Sequence, residues 1–201
     1  CSIAATWPKN YRVAVNISSV QVRHTDLVRV VQNTLQNTGI EAARLELEIK
    51  EGVLIEDPDY AGHVLRGLKD LGVSLSMDDF GTGQSSLFSI LTFPFDKVKI
   101  DNTFLATVDQ NTQGQDVIKA ILDMSKSLGF TVVAEGVERN EQADFLKSAG
   151  CYEMQGYFIG EPASDIKTME LIMRDVEMSK QLVEKPRIPF NFSDHIRSMK
   201  N

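Results

Sequence analysis

Along the chain, one change of hydrophobic period recurs four times: helical spacing runs into a glycine, and a short alternating or apolar run follows. "VRVVQNTLQNTG" precedes "RLELEIK", "YAGHVLRGLKDLG" precedes "VSLSMDD", "VIKAILDMSKSLG" precedes "FTVVAEG", and "EQADFLKSAG" precedes "CYEMQGY". Leu65, Leu68 and Leu71 recur at helical spacing, as do Ile118, Ile121, Leu122 and Leu128. Asp57–Pro58 reads as a cap followed by a first-turn proline, and Asn140 as the cap of a later helix. Gly39, Gly72, Gly129 and Gly150 stand where a helix ends on a left-handed residue. Helix-then-strand units of this kind predict parallel strands covered by helices, an α/β layout.

Six strands are expected, over residues 13–18, 44–50, 74–79, 97–101, 131–136 and 152–157. Strand side chains alternate between faces, so each face can be read by parity. One face carries Val13, Val15, Ile17, Leu45, Leu47, Ile49, Leu75, Met77, Val98 and Ile100, and is expected to pack against the helices. The other carries Asn16, Glu46, Glu48, Ser76, Asp78, Lys97, Lys99, Glu135, Glu153 and Gln155, with a functional group near each carboxyl end. A doubly wound open sheet would read as near-continuous apolar runs. The polar second face instead predicts a barrel interior that opens on a site at its carboxyl-terminal mouth. An open sheet with one solvated face is the alternative.

Composition narrows the class without naming a function. The 201 residues, 42% of them hydrophobic, suffice for one domain with a substantial core. The net charge of −7 argues against a general nucleic-acid or anionic-membrane binder, so no DNA partner is expected. The two cysteines form neither a disulfide framework nor a metal knuckle, which points to a reducing compartment. No apolar run is long enough to cross a membrane, so a cytoplasmic protein, or the cytoplasmic domain of an anchored one, is expected. The opening "CSIAATWPKNY" has neither an initiator Met nor a basic signal start.

Asn16, Glu48, Asp78, Asp79, Glu135 and Gln155 offer only oxygen ligands, which select Mg²⁺, Mn²⁺ or Ca²⁺ over zinc or copper. Carboxylates converging on one mouth repel unless cations hold them apart. Asp78 and Asp79 are neighbours, yet at a strand end unwinding into "FGTG" both can turn to one site, with Asp78 bridging two metals. Two divalent ions about 3.5–4 Å apart suit in-line displacement at phosphorus. Lys99 would orient the attacking water or neutralise charge on the phosphoryl oxygens. Singly, each signal has a plainer meaning. An Asp-Asp pair is commonly a solvated turn, Lys99 a salt-bridge partner, Gln155 a backbone cap, and Glu135 with Glu138 a solvated loop. Their shared parity across six strands favours the site.

The ordered motifs "VAVNISSVQ", "LELEIKE", "DDFGTGQSSL", "KIDNTF", "AEGVE" and "MQGYFIGEP" make the chain resemble the EAL family of cyclic di-GMP phosphodiesterases from Cys1 to about Pro162. The resemblance implies a TIM-like (β/α)8 barrel seen here without its first two strands, occupying 1–165, followed by a helix and extended tail over 166–201. It implies Asn16, Glu48 and Asp78 as ligands of one Mg²⁺ or Mn²⁺, and Asp78, Asp79 and Glu135 as ligands of a second. Lys99 and Glu135 are the implied catalytic pair, Glu51 the anchor of the "DDFGTG" loop, and Glu138 and Gln155 outer positions. The implied reaction is hydrolysis of cyclic di-GMP to linear pGpG. The implied setting is a homodimer with a diguanylate-cyclase-like or sensory domain fused upstream.

Three departures stand out. The Glu-Ala-Leu motif is absent, so sequence upstream of Cys1 is expected to carry it. Lys50 replaces the family's usual threonine: either its ammonium points into the mouth, pairs with Glu48 and competes with a metal, or the strand has begun to turn and it sits in solvent. Gln84 replaces a tyrosine. These departures keep open a catalytically inactive cyclic di-GMP receptor or protein-binding module. A Mg²⁺-dependent barrel lyase is disfavoured by the bimetallic set. In the tail, Met169, Ile172, Met173 and Val176 form one stripe read as packing, and His24, His63 and His195 are scattered.

Overall fold

The structure, a computed structural model, describes residues 1–81, 87–105, 108 and 112–184. The amino-terminal part runs α1 (Ser2–Ala5), β1 (Val13–Ile17), α2 (Ser19–His24), α3 (Leu27–Thr38), β2 (Leu45–Lys50), α4 (Gly52–Glu56), α5 (Pro58–Asp70) and β3 (Ser74–Phe80). It continues through α6 (Leu87–Thr92), β4 (Lys97–Ile100), α7 (Thr112–Leu128), β5 (Thr131–Ala134), α8 (Asn140–Ala149), β6 (Glu153–Met154) and α9 (Asp165–Glu184). Short 3₁₀ turns lie at Ala42–Arg44 and Asn102–Phe104. Cys1–Pro162 forms one compact unit, and α9 belongs to a second that begins at Ala163.

All six strands are parallel and lie in chain order, each paired with its sequence neighbours. This is the α/β, TIM-like arrangement that the helix–glycine–strand phrases predict. Asp57 caps α5 by accepting from the Tyr60 N–H at 3.1 Å, with Pro58 next in line. Gly39, Gly72, Gly129 and Gly150 all take positive φ. Asn140 does not cap α8. Arg139 holds the cap position, and the Asn140 amide donates instead to Asp144 at 2.8 Å.

Leu47, Ile49, Leu75, Met77, Val98 and Ile100 are fully buried on the apolar face, in one core with Leu65, Leu68, Ile118 and Leu146 from the helices. Val15 departs from the expected packing at 36% exposure, because β1 pairs only with β2 among the described residues and lacks a second neighbour to cover it. The last strand is also shorter than expected. Gln155 leaves the strand ladder for a loop: its N–H donates to Ala134 and its carbonyl accepts from Val137. On α9, Ile172 is buried and Met169 and Val176 are half-buried, but Met173 is exposed, so the predicted stripe is narrower than drawn.

The polar face is not a solvated sheet surface. Glu46, Glu48, Ser76, Asp78, Lys97 and Lys99 are all buried. Burying charges demands partners, and the parity of the strands supplies them in two layers. Near the strand starts, Lys97 bridges Glu46 at 3.0 Å and Glu153 at 2.5 Å. Toward the strand ends, Lys99 bridges Glu48 and Glu135.

Candidate functional site

The upper layer is built by register. Asn16 lies opposite Glu48, Lys50 opposite Asp78, and Lys99 opposite Val133. Between β3 and β4 the register slips: Met77 faces Val98 and Phe80 faces Ile100, so Asp78 and Asp79 together oppose Lys99. Two residues against one is a β-bulge, which breaks the alternation and re-aims side chains. Asp79 takes φ +59°, a left-handed conformation that aspartate tolerates better than most residues. That single bend brings two sequence-adjacent carboxylates to one side.

The Lys99 ammonium lies 2.8 Å from Glu48, 2.7 Å from Glu135 and 3.7 Å from Asp78. Burial alone would lower its pKa, but the hydrogen bonds and charges of Glu135 and Glu48 together win and raise it. Lys99 is therefore cationic at neutral pH. Burial pushes the Glu135 carboxyl up, against the opposing pull of Lys99. The protein thus provides, within its own chain, the cation that lets these carboxylates converge.

Carboxylate oxygens of Asp78, Asp79 and Glu135 lie within 4.8 Å of one another. Asp78 Oδ1 is buried and accepts no hydrogen bond, an atom left for a ligand that proteins seldom leave unmade. An all-oxygen cluster with an unsatisfied buried acceptor fits a hard divalent cation.

Two clefts flank this centre. One of about 1020 Å³ is lined by Asn16, Ser18, Lys50, Glu56 and Asp78, among others. The second, about 550 Å³, is lined by Asp101, Asn102, Glu135, Glu138, Gln155 and Tyr157, among others. Asn16, Glu138 and Gln155 are exposed at these clefts, and the Glu138 N–H donates to Gln142 at 2.9 Å. Glu51 is buried at the start of α4, its carbonyl accepting from Leu54. Gln84 lies outside the described residues.

Lys50 does not pair with Glu48, and its side chain is largely exposed to solvent without being free there. Its ammonium pairs with Asp79 at 2.6 Å, while Glu48 is held by Lys99. The unwinding expected at this strand end, which brings Asp78 and Asp79 to one site, takes the form of the bulge, and the bulge also turns Asp79 toward Lys50 of β2. Asp101 also went unselected, although it shares the "KID" exit of β4 with Lys99. Burial would raise its pKa, but hydrogen bonds from Thr103 and Asn102 outweigh that and lower it. Its position two residues after Lys99 was the available signal.

The loops that carry these groups are packed closely. Gly136, at φ +68°, follows Glu135, and a Cβ there would meet Asn102 Cβ at 2.4 Å. The Asn102–Phe104 turn after β4 is thereby seated against the exit of β5, fixing the backbone beside Glu135.

The profile of the EAL domain family matches residues 1–162. An uncharacterized signaling protein of Caulobacter vibrioides is 47% identical over 81% of this chain and 20% of its own length. MucR of Pseudomonas aeruginosa, a bifunctional diguanylate cyclase/cyclic di-GMP phosphodiesterase, is 36% identical over 76% of this chain and 22% of its own length. The chain therefore spans about a fifth of the curated relatives it matches. The solved PaMucR phosphodiesterase, in complex with c-di-GMP, has a TM-score of 0.78 at 33% identity, over 84% of this chain and 70% of that one. Klebsiella pneumoniae BlrP1, solved with manganese and cy-diGMP, has a TM-score of 0.72 at 30% identity, over 78% of this chain and 40% of that one.

Proposed function

The chain belongs to the EAL domain family, and on that footing we propose that it is a divalent-cation-dependent phosphodiesterase that opens cyclic di-GMP to linear pGpG. The observation that carries this reading is the buried Lys99 ammonium shared by Glu48 and Glu135, with Asp78 and Asp79 brought beside it by the bulge. A pure receptor has no need for a buried cation inside a carboxylate cluster.

In this reading Asn16, Glu48 and Asp78 would hold one Mg²⁺ or Mn²⁺, and Asp78, Asp79 and Glu135 would hold the other. Cations held there would supply polarisation of the phosphoryl oxygens and an acidified water for attack at neutral pH. Lys99, kept protonated by its neighbours, stabilises negative charge growing on the phosphoryl group. Glu135, 2.7 Å from the Lys99 ammonium, is placed to receive the proton of the attacking water. Glu51 anchors the loop after β3, and Glu138 and Gln155 order groups along the second cleft.

Leu87, Phe88 and Leu91 of α6 are exposed, which supports a homodimer formed through that helix. The bifunctional MucR, far longer than this chain, supports a diguanylate-cyclase-like or sensory domain upstream. Among the described residues no helix is long and apolar enough to cross a membrane, and a cytoplasmic setting follows from the nucleotide substrate.

The alternative, a non-catalytic cyclic di-GMP receptor, draws on the Lys50–Asp79 pair, which occupies a carboxylate the enzyme needs. The deciding assay incubates the full-length protein with cyclic di-GMP and Mn²⁺ and follows pGpG by chromatography. Turnover that falls at least about 100-fold in Glu135→Ala is expected, the scale of a lost general base. Tight nucleotide binding without metal and without turnover would establish the receptor instead.

A further inference from the structure

Lys50 is the last residue of β2 and lies in register with Asp78, one position before the bulge residue. Its side chain is 65% exposed and lines the larger cleft, yet its ammonium is drawn back to hydrogen-bond Asp79 at 2.6 Å. Asp79 therefore meets a protein cation from the cleft side, whereas Lys99 sits inside the barrel face against Glu48 and Glu135. The two lysines differ in what they can do. Lys99 is 4% exposed and locked between two carboxylates. Lys50 is a long, solvated side chain paired with Asp79, and it can swing into the cleft at small cost.

We propose that Lys50 is a built-in competitor for the divalent cation at Asp79: its ammonium occupies this carboxylate until a cation displaces it, which weakens metal affinity at that one position. The inference rests on the reading of Asp79 as a cation ligand. A dication and an ammonium cannot share one carboxylate closely without mutual repulsion, so binding at Asp79 must expel Lys50 into the 1020 Å³ cleft. Because the pair is exposed, the competition is modest and reversible rather than blocking. Occupancy of the two positions then becomes unequal. The position at Asp79 fills only at higher cation concentration, and phosphodiester hydrolysis follows the cation supply.

The test measures Mn²⁺ binding to the full chain without nucleotide, by the electron paramagnetic resonance of free Mn²⁺. The wild type is compared with Lys50→Met, Lys50→Arg, Asp79→Asn and the Lys50→Met/Asp79→Asn double variant. Lys50→Met is expected to tighten one position about 5-fold, the size of an exposed ion pair. Lys50→Arg should stay near wild type, and the gain should vanish in the Asp79→Asn background, isolating the pairwise effect. Equal affinity of wild type and Lys50→Met within about 2-fold, with Mn²⁺ still bound, would overturn the competition and leave the proposed function standing. The same tightening in the Asp79→Asn background would also overturn it, by showing a general charge effect. If no variant binds Mn²⁺, the cation-dependent reading itself falls, and this inference with it.

Discussion

At Asp79 a φ of +59° does what no change of side chain would accomplish. A residue in the left-handed region costs about 1 kcal/mol unless it is glycine or a short polar side chain. Aspartate keeps that cost low while bringing a carboxylate to the site, so the residue type and the backbone angle are matched. Cys151 presents the opposite case, a reactive group made inert by its surroundings. Its thiol is 1% exposed, donates to the carbonyls of Val132 and Glu153, and burial pushes its pKa up to about 11. The native thiol should therefore resist an aromatic disulfide reagent at pH 8 and react only at the rate of unfolding. The same shift has a signed consequence for stability. Between pH 9 and about 11 the unfolded thiol ionises while the folded one keeps its proton, so stability falls as pH rises, by about 3 kcal/mol at most. Urea melts across that range should show this loss in the wild type and not in Cys151→Ala. Equal slopes would mean the thiol ionises freely in the fold.

Elements were legible where one physical rule acted alone. The four glycines that end helices could be read directly, since only they combine a helical run before with an apolar strand after, and all four adopt positive φ. Parity also assigned the buried carboxylates and lysines of β2, β3 and β4 to one face. It missed the partner of Lys50, because period-2 reading has no place for the extra residue through which the unwinding strand end brings Asp79 beside Asp78. It failed again at β6, where the loop from Gly136 to Val137 takes the backbone of Gln155 that a longer strand would have used. Such loop contacts depend on close approach, which a sequence shows only as an isolated glycine. Gly39 and Gly136 make that visible, since both sit at φ +68°. A Cβ at Gly39 meets nothing within 4 Å, whereas one at Gly136 would meet Asn102 at 2.4 Å. Gly39→Ala should cost about 1 kcal/mol from backbone conformation alone. Gly136→Ala should cost a further 1–3 kcal/mol or so from overpacking, and should also reduce turnover by shifting Glu135. Equal losses for the two in urea denaturation would show that the Asn102 contact yields freely.

Across the whole barrel face, the two lysine layers divide labour by their height along the strands. In barrels of parallel strands, the carboxyl-terminal mouth carries chemistry and the opposite end carries stability. Here the same side-chain chemistry occurs at both heights, which makes a controlled comparison. Lys97, near the strand starts, ties Glu46 to Glu153. Lys99, two residues on, ties Glu48 to Glu135 beside Asp78 and Asp79. Replacing either lysine by Met leaves two carboxylates facing each other without their cation, and each variant should lose about 2–4 kcal/mol at neutral pH, Glu153 being partly screened by solvent. The two should separate when Mn²⁺ is added. Lys97→Met has no carboxylate cluster of that kind at its level among the described residues and should bind Mn²⁺ within about 2-fold of wild type, with its stability unrestored. Lys99→Met exposes Glu48 and Glu135 to the cation in place of the ammonium. It should bind Mn²⁺ at least about 5-fold more tightly, since a like charge has left the site, and should regain stability on binding while losing turnover. Thermal melts with and without Mn²⁺ read both effects together. Recovery of Lys97→Met by Mn²⁺ to the same degree would show that the lower layer also accepts a cation and that height along the strand does not set the role.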